Sequence, residues 1–156
     1  MHRSVSKMRH YCLVPALVVF LSASAASAEQ PEAVGRIKVA SGSAFLVRGN
    51  SQMPAQAGQL LYQSDLLRTG ADGSVGVALK DDTRVALGPA SEIKLDRFSY
   101  APAEGQLALV LRVVRGVAAY VSGRIAKLAP DAVRIETPAA ILGVRGTTLA
   151  IRIGEQ

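Results

Sequence analysis

The stretch Ser74-Val75-Gly76-Val77-Ala78-Leu79-Lys80-Asp81-Asp82-Thr83-Arg84-Val85-Ala86-Leu87 shows the pattern that decides the fold class. Apolar side chains occupy every second position on both sides of the Asp81-Asp82 pair. Because successive side chains of a strand point to opposite faces, this spacing places the apolar ones on a single face. The aspartates are typical of a turn, since Asp hydrogen-bonds its own backbone there. The stretch predicts two strands joined by a turn, with these side chains in the core: Val75, Val77, Leu79, Val85 and Leu87.

The same alternation continues on the C-terminal side, over Glu92–Phe98, Leu107–Val113, Val133–Glu136 and Leu149–Ile153. Turn-forming residues recur at intervals of roughly ten residues, and no stretch has a long helical period. The sequence therefore predicts an all-β fold of many short strands. Alternation does not say which strands pair, so a sandwich, a jelly-roll-like arrangement and a short solenoid stay open. The turns are expected at Asp72-Gly73, Asp81-Asp82, Gly88-Pro89, Glu104-Gly105, Arg115-Gly116 and Ser122-Gly123.

The segment Leu107–Val114 is apolar at nearly every position, apart from Ala108 and Arg112. Continuous apolar runs are typical of strands that are covered on both faces. We expect a central strand here or a strand at a protein contact, with a helix as the less favoured alternative.

The first 28 residues have the order of a secretory signal peptide. A basic start from Arg3 to Arg9 precedes an apolar segment from Leu13 to Leu21, and the small residues Ala26-Ser27-Ala28 follow. The apolar segment is too short to span a bilayer, which takes about 20 residues. We expect cleavage after Ala28, export to the periplasm and no retained transmembrane segment. The predicted organisation is a signal peptide over 1–28, a short polar lead over 29–34 and one β domain over 35–154.

Cleavage would remove both histidines, His2 and His10, and the single cysteine, Cys12. The exported chain would then lack the residues for a histidine-based triad and for a zinc site with nitrogen and sulfur ligands. It would also lack a disulfide, so its stability must come from packing. We predict a protein that is not an enzyme and that has no cofactor and no metal.

The charge of the exported chain is modest. Three of the 18 basic residues and none of the 12 acidic ones precede the cleavage site, so the net charge falls from +6 to +3. The other basic residues are scattered singly between apolar positions, without the cluster that marks a nucleic-acid surface. We therefore expect no nucleic-acid partner.

Two pairs of polar residues are candidates for chemistry or binding. Asp81 and Asp82 could act as two acids in hydrolysis, but their place between two strands favours a turn. Asp65 and Arg68 could form part of a polar ligand site, or they could make an ion pair across a bend. Hydroxyl groups such as those of Ser43 and Thr147 have no base beside them in the sequence, and such nucleophiles are weak without one.

Arg145 and the tyrosines supply the other binding candidates. Arg145 lies in Gly143-Val144-Arg145-Gly146, where a loop could present it to carboxylate or phosphate groups, or where a bulge could pair it with an internal Asp. Tyr62, Tyr100 and Tyr120 could form an apolar platform for a sugar. The ordinary alternative is a half-buried sheet position, in which the ring packs and the hydroxyl reaches water. We take Tyr120 as a binding candidate and assign two other aromatic residues to the core, Phe45 and Phe98.

Several ordered motifs resemble the FecR periplasmic domain. They are Gly42-Ser43-Ala44-Phe45-Leu46-Val47-Arg48-Gly49, Leu66-Leu67-Arg68-Thr69-Gly70, Gly73-Ser74-Val75-Gly76-Val77, Leu87-Gly88-Pro89-Ala90-Ser91 and the closing Thr137-Pro138-Ala139-Ala140-Ile141-Leu142-Gly143-Val144-Arg145-Gly146-Thr147. The resemblance runs from about Gly35 to Ile153. It implies a mostly β periplasmic domain, named after a regulator that relays an outer-membrane transport signal to a cytoplasmic sigma factor.

Unlike that regulator, this chain is expected to have no cytoplasmic segment before the membrane and no retained membrane helix. Our leading hypothesis is therefore a stand-alone, non-enzymatic binding or scaffold module whose partner is an envelope protein or a cell-wall glycan. A second hypothesis is an accessory sensor that touches a membrane-anchored regulator through an exposed strand edge. A cell-wall hydrolase using Asp65 or Asp81 is a weaker alternative, and self-association through strand edges also stays open.

Overall fold

The computed structural model describes residues 31–145 and 148–154, and strands make up more than half of these residues. The predicted signal peptide lies outside these residues. The elements in chain order are β1 (Gly35–Ser41), β2 (Ala44–Arg48), β3 (Ser51–Pro54), β4 (Leu60–Leu61), β5 (Leu66–Thr69), β6 (Ser74–Leu79), β7 (Arg84–Leu87), β8 (Glu92–Ala101), a 3₁₀ turn (Pro102–Glu104), β9 (Gln106–Val121), α1 (Arg124–Leu128), a second 3₁₀ turn (Pro130–Ala132), β10 (Val133–Glu136), β11 (Ile141–Gly143) and β12 (Thr148–Ile153).

The described strands form one curled sheet whose two halves share β9. Half-sheet I has the strand order β4-β1-β6-β7-β9-β12, and half-sheet II has the order β3-β2-β5-β8-β9-β10-β11. Neighbouring strands are antiparallel except for β9 and β10, which are parallel. The all-β prediction is confirmed. Antiparallel pairing makes the arrangement closer to a sandwich than to a solenoid, whose stacked coils pair in parallel.

The sheet can curl because β9 bends at Gly116. Up to Arg115 this strand pairs with β8, and from Ala118 it pairs with β7. Gly116 has φ +83°, and a Cβ there would lie 2.3 Å from the Ser91 Oγ. Only glycine combines that backbone angle with such a close approach. The strand continues through this point, so the turn predicted at Arg115-Gly116 is wrong: the glycine marks a bend.

Two buried hydroxyl groups hold the chain around this bend. The Val117 amide donates to Ser91 Oγ at 2.8 Å, and that hydroxyl donates to the Pro89 carbonyl at 2.9 Å. The Ser91 amide donates to Thr69 Oγ1 at 2.9 Å, and the Thr69 hydroxyl donates to the Gly88 carbonyl at 2.7 Å. These bonds satisfy backbone groups that the change of sheet partners would otherwise leave buried and unpaired.

One hydrophobic core fills the space between the half-sheets. It contains a small, partly open cavity of about 20 Å³, lined by residues from both halves. The alternation in the sequence predicted these positions correctly. Over Leu107–Val114, β9 is central in the sheet, between β8 and β10, but only one of its faces is buried, so the expected cover on both faces is wrong. Buried side chains of the predicted core include Val75, Val77, Leu79, Val85, Leu87, Ile93, Leu95, Phe98, Leu109, Leu111, Val113, Val133, Ile135 and Ile151.

Four predicted turns join consecutive strands, at Asp72-Gly73, Asp81-Asp82, Gly88-Pro89 and Glu104-Gly105. The Ser122-Gly123 signal ends β9 and leads into α1, so it does not reverse one strand into another.

Candidate functional site

Asp65 is a buried structural carboxylate with an exposed fraction of 3%. Arg48 binds both of its oxygens, with Nε 2.8 Å from Oδ1 and Nη2 2.7 Å from Oδ2. The Tyr62 amide also donates to Oδ2, at 2.8 Å. The hydrogen bond to Asp65 raises the pKa of Arg48, and the Tyr62 ring lies under the guanidinium, 4.4 Å from Cζ to the ring centre. The carboxylate is therefore fully engaged in joining β2 to the segment before β5.

Arg68 does not pair with Asp65, so the expected ion pair between them is wrong. Strand alternation explains the difference, because Asp65 turns inward while the half-exposed Arg68 side chain points outward. Its Nε lies 3.0 Å from Glu92 Oε2, across the β5–β8 pair. The structure thus does not bring these two candidates together into one site.

Asp81 confirms the turn predicted from the sequence and joins that turn to α1. Its Oδ2 accepts hydrogen bonds from the Thr83 hydroxyl at 2.7 Å and the Ile125 amide at 3.3 Å. Its carbonyl accepts from the Arg124 amide at 2.6 Å, and the whole residue is buried. These bonds occupy one of the two carboxylates named for the hydrolase alternative, and Arg48 occupies the other, Asp65.

Arg145 lies on the surface, with 82% of its side chain exposed. Its Nη2 is 3.3 Å from Oδ1 of Asp131, whose side chain is 90% exposed. The expected partner was an internal Asp, and the observed one is a solvated residue in a 3₁₀ turn. Such an exposed pair holds neither side chain strongly, so Arg145 is accessible to a ligand.

The three tyrosines do not converge. Tyr120 is 2% exposed and lies in the core, where burial raises the pKa of its phenol. Its hydroxyl makes no well-aligned hydrogen bond among the described residues, and the neighbouring hydroxyls of Ser122 and Thr83 only partly oppose the rise. Tyr120 therefore cannot contact a partner at the surface, and its hydroxyl does not reach water as expected. Tyr62 and Tyr100 are half-buried and line one open groove of about 530 Å³.

Of the two phenylalanines assigned to the core, Phe98 is buried and Phe45 is not. Phe45 stands opposite Arg68 on the outer surface of half-sheet II and is half-exposed. Phe45 lies between the buried Ala44 and Leu46 along β2, so its side chain points to the other face of the sheet. The core prediction for Phe45 is therefore wrong.

The outer face of half-sheet II is crossed by ion pairs. Glu92 lies 3.0 Å from Arg68 and 3.5 Å from Arg115. Farther along the sheet, Arg112 Nη2 lies 2.9 Å from Oδ2 of Asp96 and 3.1 Å from Oε2 of Glu136. The contact with Asp96 is an ion pair without the alignment of a hydrogen bond. Each acid on this face therefore has a basic neighbour on an adjacent strand.

The outer face of half-sheet I has a different character. Its centre is built from small side chains that are directly opposite one another in register, Ala86 with Ala119 and Ala119 with Ala150. Val39 lies across Gly76, because a bulge in β1 turns it outward and the glycine leaves room for it. Three larger apolar residues are exposed here: Val39 by 55%, Leu60 by 44% and Val121 by 39%.

Four exposed cations lie on this side of half-sheet I, on β1, β7 and the edge strand β12: Arg36, Lys38, Arg84 and Arg152. None of the four makes an ion pair within the described part of the chain. Lys38 and Arg84 line a shallow depression of about 500 Å³ over Ala78, Ala86 and Ala119. We call the four cations and the small side chains between them the basic face.

One acid, Asp82, borders the depression within the described residues, and it is already paired. Its Oδ2 lies 3.0 Å from Arg124 Nε. Contacts with Tyr100 and Asp82 raise the pKa of Arg124. The basic face therefore keeps an uncompensated positive charge.

The sequence alone did not point to the basic face, because its cations are far apart along the chain. Arg36 and Arg84 flank Ala78 only through the β1–β6 and β6–β7 registers. The scattered appearance of the basic residues was thus misleading for this surface. A usable signal was their position in the alternation, which places Arg84 and Arg152 outward.

A family model described as "FecR protein" matches residues 65–156, more than half of the chain. The chain belongs to the FecR family. Members of this family act in cell-surface signalling as regulators, and the resemblance inferred from the motifs is confirmed. No curated protein and no solved structure matches the chain.

The FecR motifs of this chain serve the fold. Thr69 and Ser91 hold the bend of β9, as described above. Gly73 packs so closely on the turn between β1 and β2 that a Cβ would lie 2.0 Å from the Ser43 carbonyl oxygen. Hydrogen bonds from Ser43 lower the pKa of Asp72. They join the turn between β5 and β6, which holds Asp72, to the turn between β1 and β2. The Gly42–Gly49 motif precedes the matched residues and packs directly against them.

Among the described residues of this FecR chain, no three His, Cys, Asp or Glu side chains lie close enough together to hold a metal ion. A helix long and apolar enough to cross a membrane is also absent from that part of the chain.

Proposed function

We propose that this FecR-family chain is a non-enzymatic binding or scaffold module of the bacterial periplasm, and that it docks another envelope component through the basic face. The observation that carries the proposal is the uncompensated charge of that face, where four cations lie on the same side of half-sheet I as an exposed apolar centre. Exposed apolar patches with a charged rim mark interaction sites. The signalling role of the family supports an interaction module.

Photocross-linking in intact cells tests this proposal. A photoreactive residue placed at Ala86 lies at the centre of the basic face, and one placed at Arg134 lies exposed on half-sheet II as a matched control. We expect adducts to an envelope component from position 86 and at most traces from position 134. Equal yields, or no adduct from position 86, would contradict docking through this face.

A second candidate function is an accessory sensor for a membrane-anchored regulator. The observation in its favour is that β12 pairs only with β9 in the described sheet, so its other side offers backbone groups for strand addition. A photoreactive residue at Thr148 would capture the regulator if this edge binds it. Adducts that form at Ala86 and not at Thr148 would contradict the sensor function and leave docking through the basic face as the remaining candidate.

A further inference from the structure

The basic face has a floor of small side chains in a shallow depression, with exposed cations on neighbouring strands. Arg36, Ala78 and Arg84 stand side by side on three neighbouring strands. Since neighbouring strands lie about 4.8 Å apart, the backbones of the two arginines are roughly 10 Å apart. A helix with its side chains is about 10 Å across, which matches the spacing of the arginine backbones on β1 and β7.

The small residues on the floor favour a helix that lies on the face. Ala78, Ala86 and Ala119 leave the backbone of the sheet close to the surface, so apolar side chains of a helix can pack directly against it. A strand would instead add to a sheet edge, where backbone groups are free to pair. The face of the sheet therefore fits a helix better than a strand.

The charges indicate what the helix must carry. Arg36, Lys38, Arg84 and Arg152 have no acidic partner among the described residues. A partner that covered the apolar floor without supplying carboxylates would desolvate cations and leave them unpaired, which is costly. Carboxylates on both sides of an apolar stripe would satisfy them.

Two other occupants fit less well. A second copy would bring the same four cations against this face, and the acids on its half-sheet II are already paired with Arg68, Arg112 and Arg115. An anionic membrane surface would match the charge. However, the exposed apolar residues of the face are valine, leucine and alanine, without the aromatic side chains that typically anchor proteins at a bilayer interface.

We infer that the basic face binds an acidic amphipathic helix of another envelope protein, with the apolar stripe of the helix on the alanine floor and its carboxylates on the four cations. This inference rests on the proposed function and names the chemistry of the partner. Because opposite charges steer association, complex formation should weaken as salt is added.

The test uses the cross-link at Ala86 in the full chain. The captured peptide is sequenced by mass spectrometry, and the capture is repeated with the double substitution Arg36→Glu and Arg84→Glu. A single substitution on half-sheet II, Arg134→Glu, serves as the control. We expect the captured segment to have Asp or Glu flanking an apolar helical stripe. The double reversal should lower the yield about tenfold or more, and the control should change it less than about twofold.

A neutral double variant, Arg36→Gln and Arg84→Gln, guards against misfolding of the reversed one, and urea unfolding checks that both remain folded. The captured segment is then synthesised together with a twin in which every carboxylate is an amide. We expect the twin to bind the purified chain about tenfold more weakly, and the binding of the original to fall with salt.

The outcomes distinguish failure of the acidic-helix inference from failure of the proposed function. Protein adducts that are not acidic, that ignore the charge substitutions, or whose amide twin binds equally well would overturn the inference and leave the proposed function standing. Adducts to phospholipid, with binding to phosphatidylglycerol vesicles in place of the peptide, would also overturn it, as would adducts to a second copy. A complete lack of adducts from the basic face would overturn the proposed function itself.

Discussion

The two outer faces of the sheet carry similar residue types and use them differently. On half-sheet II, Glu92 sits between Arg68 and Arg115, so both arginines have an acidic neighbour within the chain. On half-sheet I, Arg36 and Arg84 flank an alanine, and no described acid balances them. The difference shows that the register decides whether a charge serves the fold or stays available to a partner. Counting charges along the sequence cannot make this distinction.

The largest expected effect comes from removing the bend that separates the two faces. We predict that Gly116→Ala lowers the free energy of unfolding by about 3 kcal/mol or more, because the methyl group would collide with Ser91 and the φ of +83° would be strained. Urea unfolding followed by circular dichroism measures the loss.

Gly105→Ala is the matched control for Gly116→Ala. Gly105 also has a positive φ, +68°, but a Cβ there would meet nothing within 4 Å. We expect a cost of about 1 kcal/mol from the backbone angle alone. Equal costs for the two substitutions would show that the close approach at the bend does not hold the half-sheets together.

A smaller effect distinguishes the charges of the two faces. We predict that Glu92→Gln lowers the free energy of unfolding by about 1 kcal/mol, since it leaves Arg68 and Arg115 without their acid in a half-buried setting. Arg84→Gln should change it by less than about 0.5 kcal/mol, because Arg84 has no partner to lose among the described residues. Thermal unfolding at low salt and at 1 M salt measures both, and the cost of Glu92→Gln should shrink at high salt. A larger loss for Arg84→Gln would mean that the basic face is stabilised from within.

The inner side of half-sheet I should respond to alkaline pH. Burial raises the pKa of Tyr120 above its ordinary value of 10. The folded chain then binds the phenolic proton more tightly than the unfolded chain does, so the contribution of this phenol to stability is fully present below pH 10 and is lost as pH rises from 10 through the higher pKa of the folded state. Tyr120→Phe should remove this part of the loss. Urea unfolding from pH 8 to 11 measures it, and parallel curves for the two proteins would contradict the buried phenol.

The smallest expected effect comes from giving half-sheet I a cross-strand ion pair of the kind found on half-sheet II. Val121 stands directly opposite Arg84 on the outer side of half-sheet I. Val121→Glu should create a cross-strand ion pair worth a few tenths of a kcal/mol, and Val121→Gln is the uncharged control. Thermal unfolding compares the two. The same Glu should also compete for Arg84 and reduce cross-linking at Ala86, and unchanged cross-linking would separate Arg84 from the docking surface.

Most of the fold was predictable because strand alternation is a local property. Val75, Val77 and Leu79 could be assigned to the core from their spacing alone, and so could the paired positions in β7, β8 and β10. Gly116 shows where local reasoning stops. A glycine after an arginine indicates a turn, and only the packing against Ser91 shows that the chain bends there and continues.

The candidate site was less predictable for the same reason. Asp65 and Arg68 are three residues apart, and the sequence suggested that they meet, but they point to opposite sides of the sheet and pair with Arg48 and Glu92. Tyr120 has the chemistry of a binding residue and lies in the core. Identity of the side chain was not enough, because exposure depends on which face of the strand is covered.

The sequence by itself determined the fold class, the core positions and most of the turns, since each follows from the chemistry of a few adjacent residues. Only the tertiary structure decided that β9 belongs to both half-sheets and that Arg36, Lys38, Arg84 and Arg152 share one surface. The physical reason is that strand pairing joins residues far apart in the chain, and its register is set by packing and by the bend at Gly116.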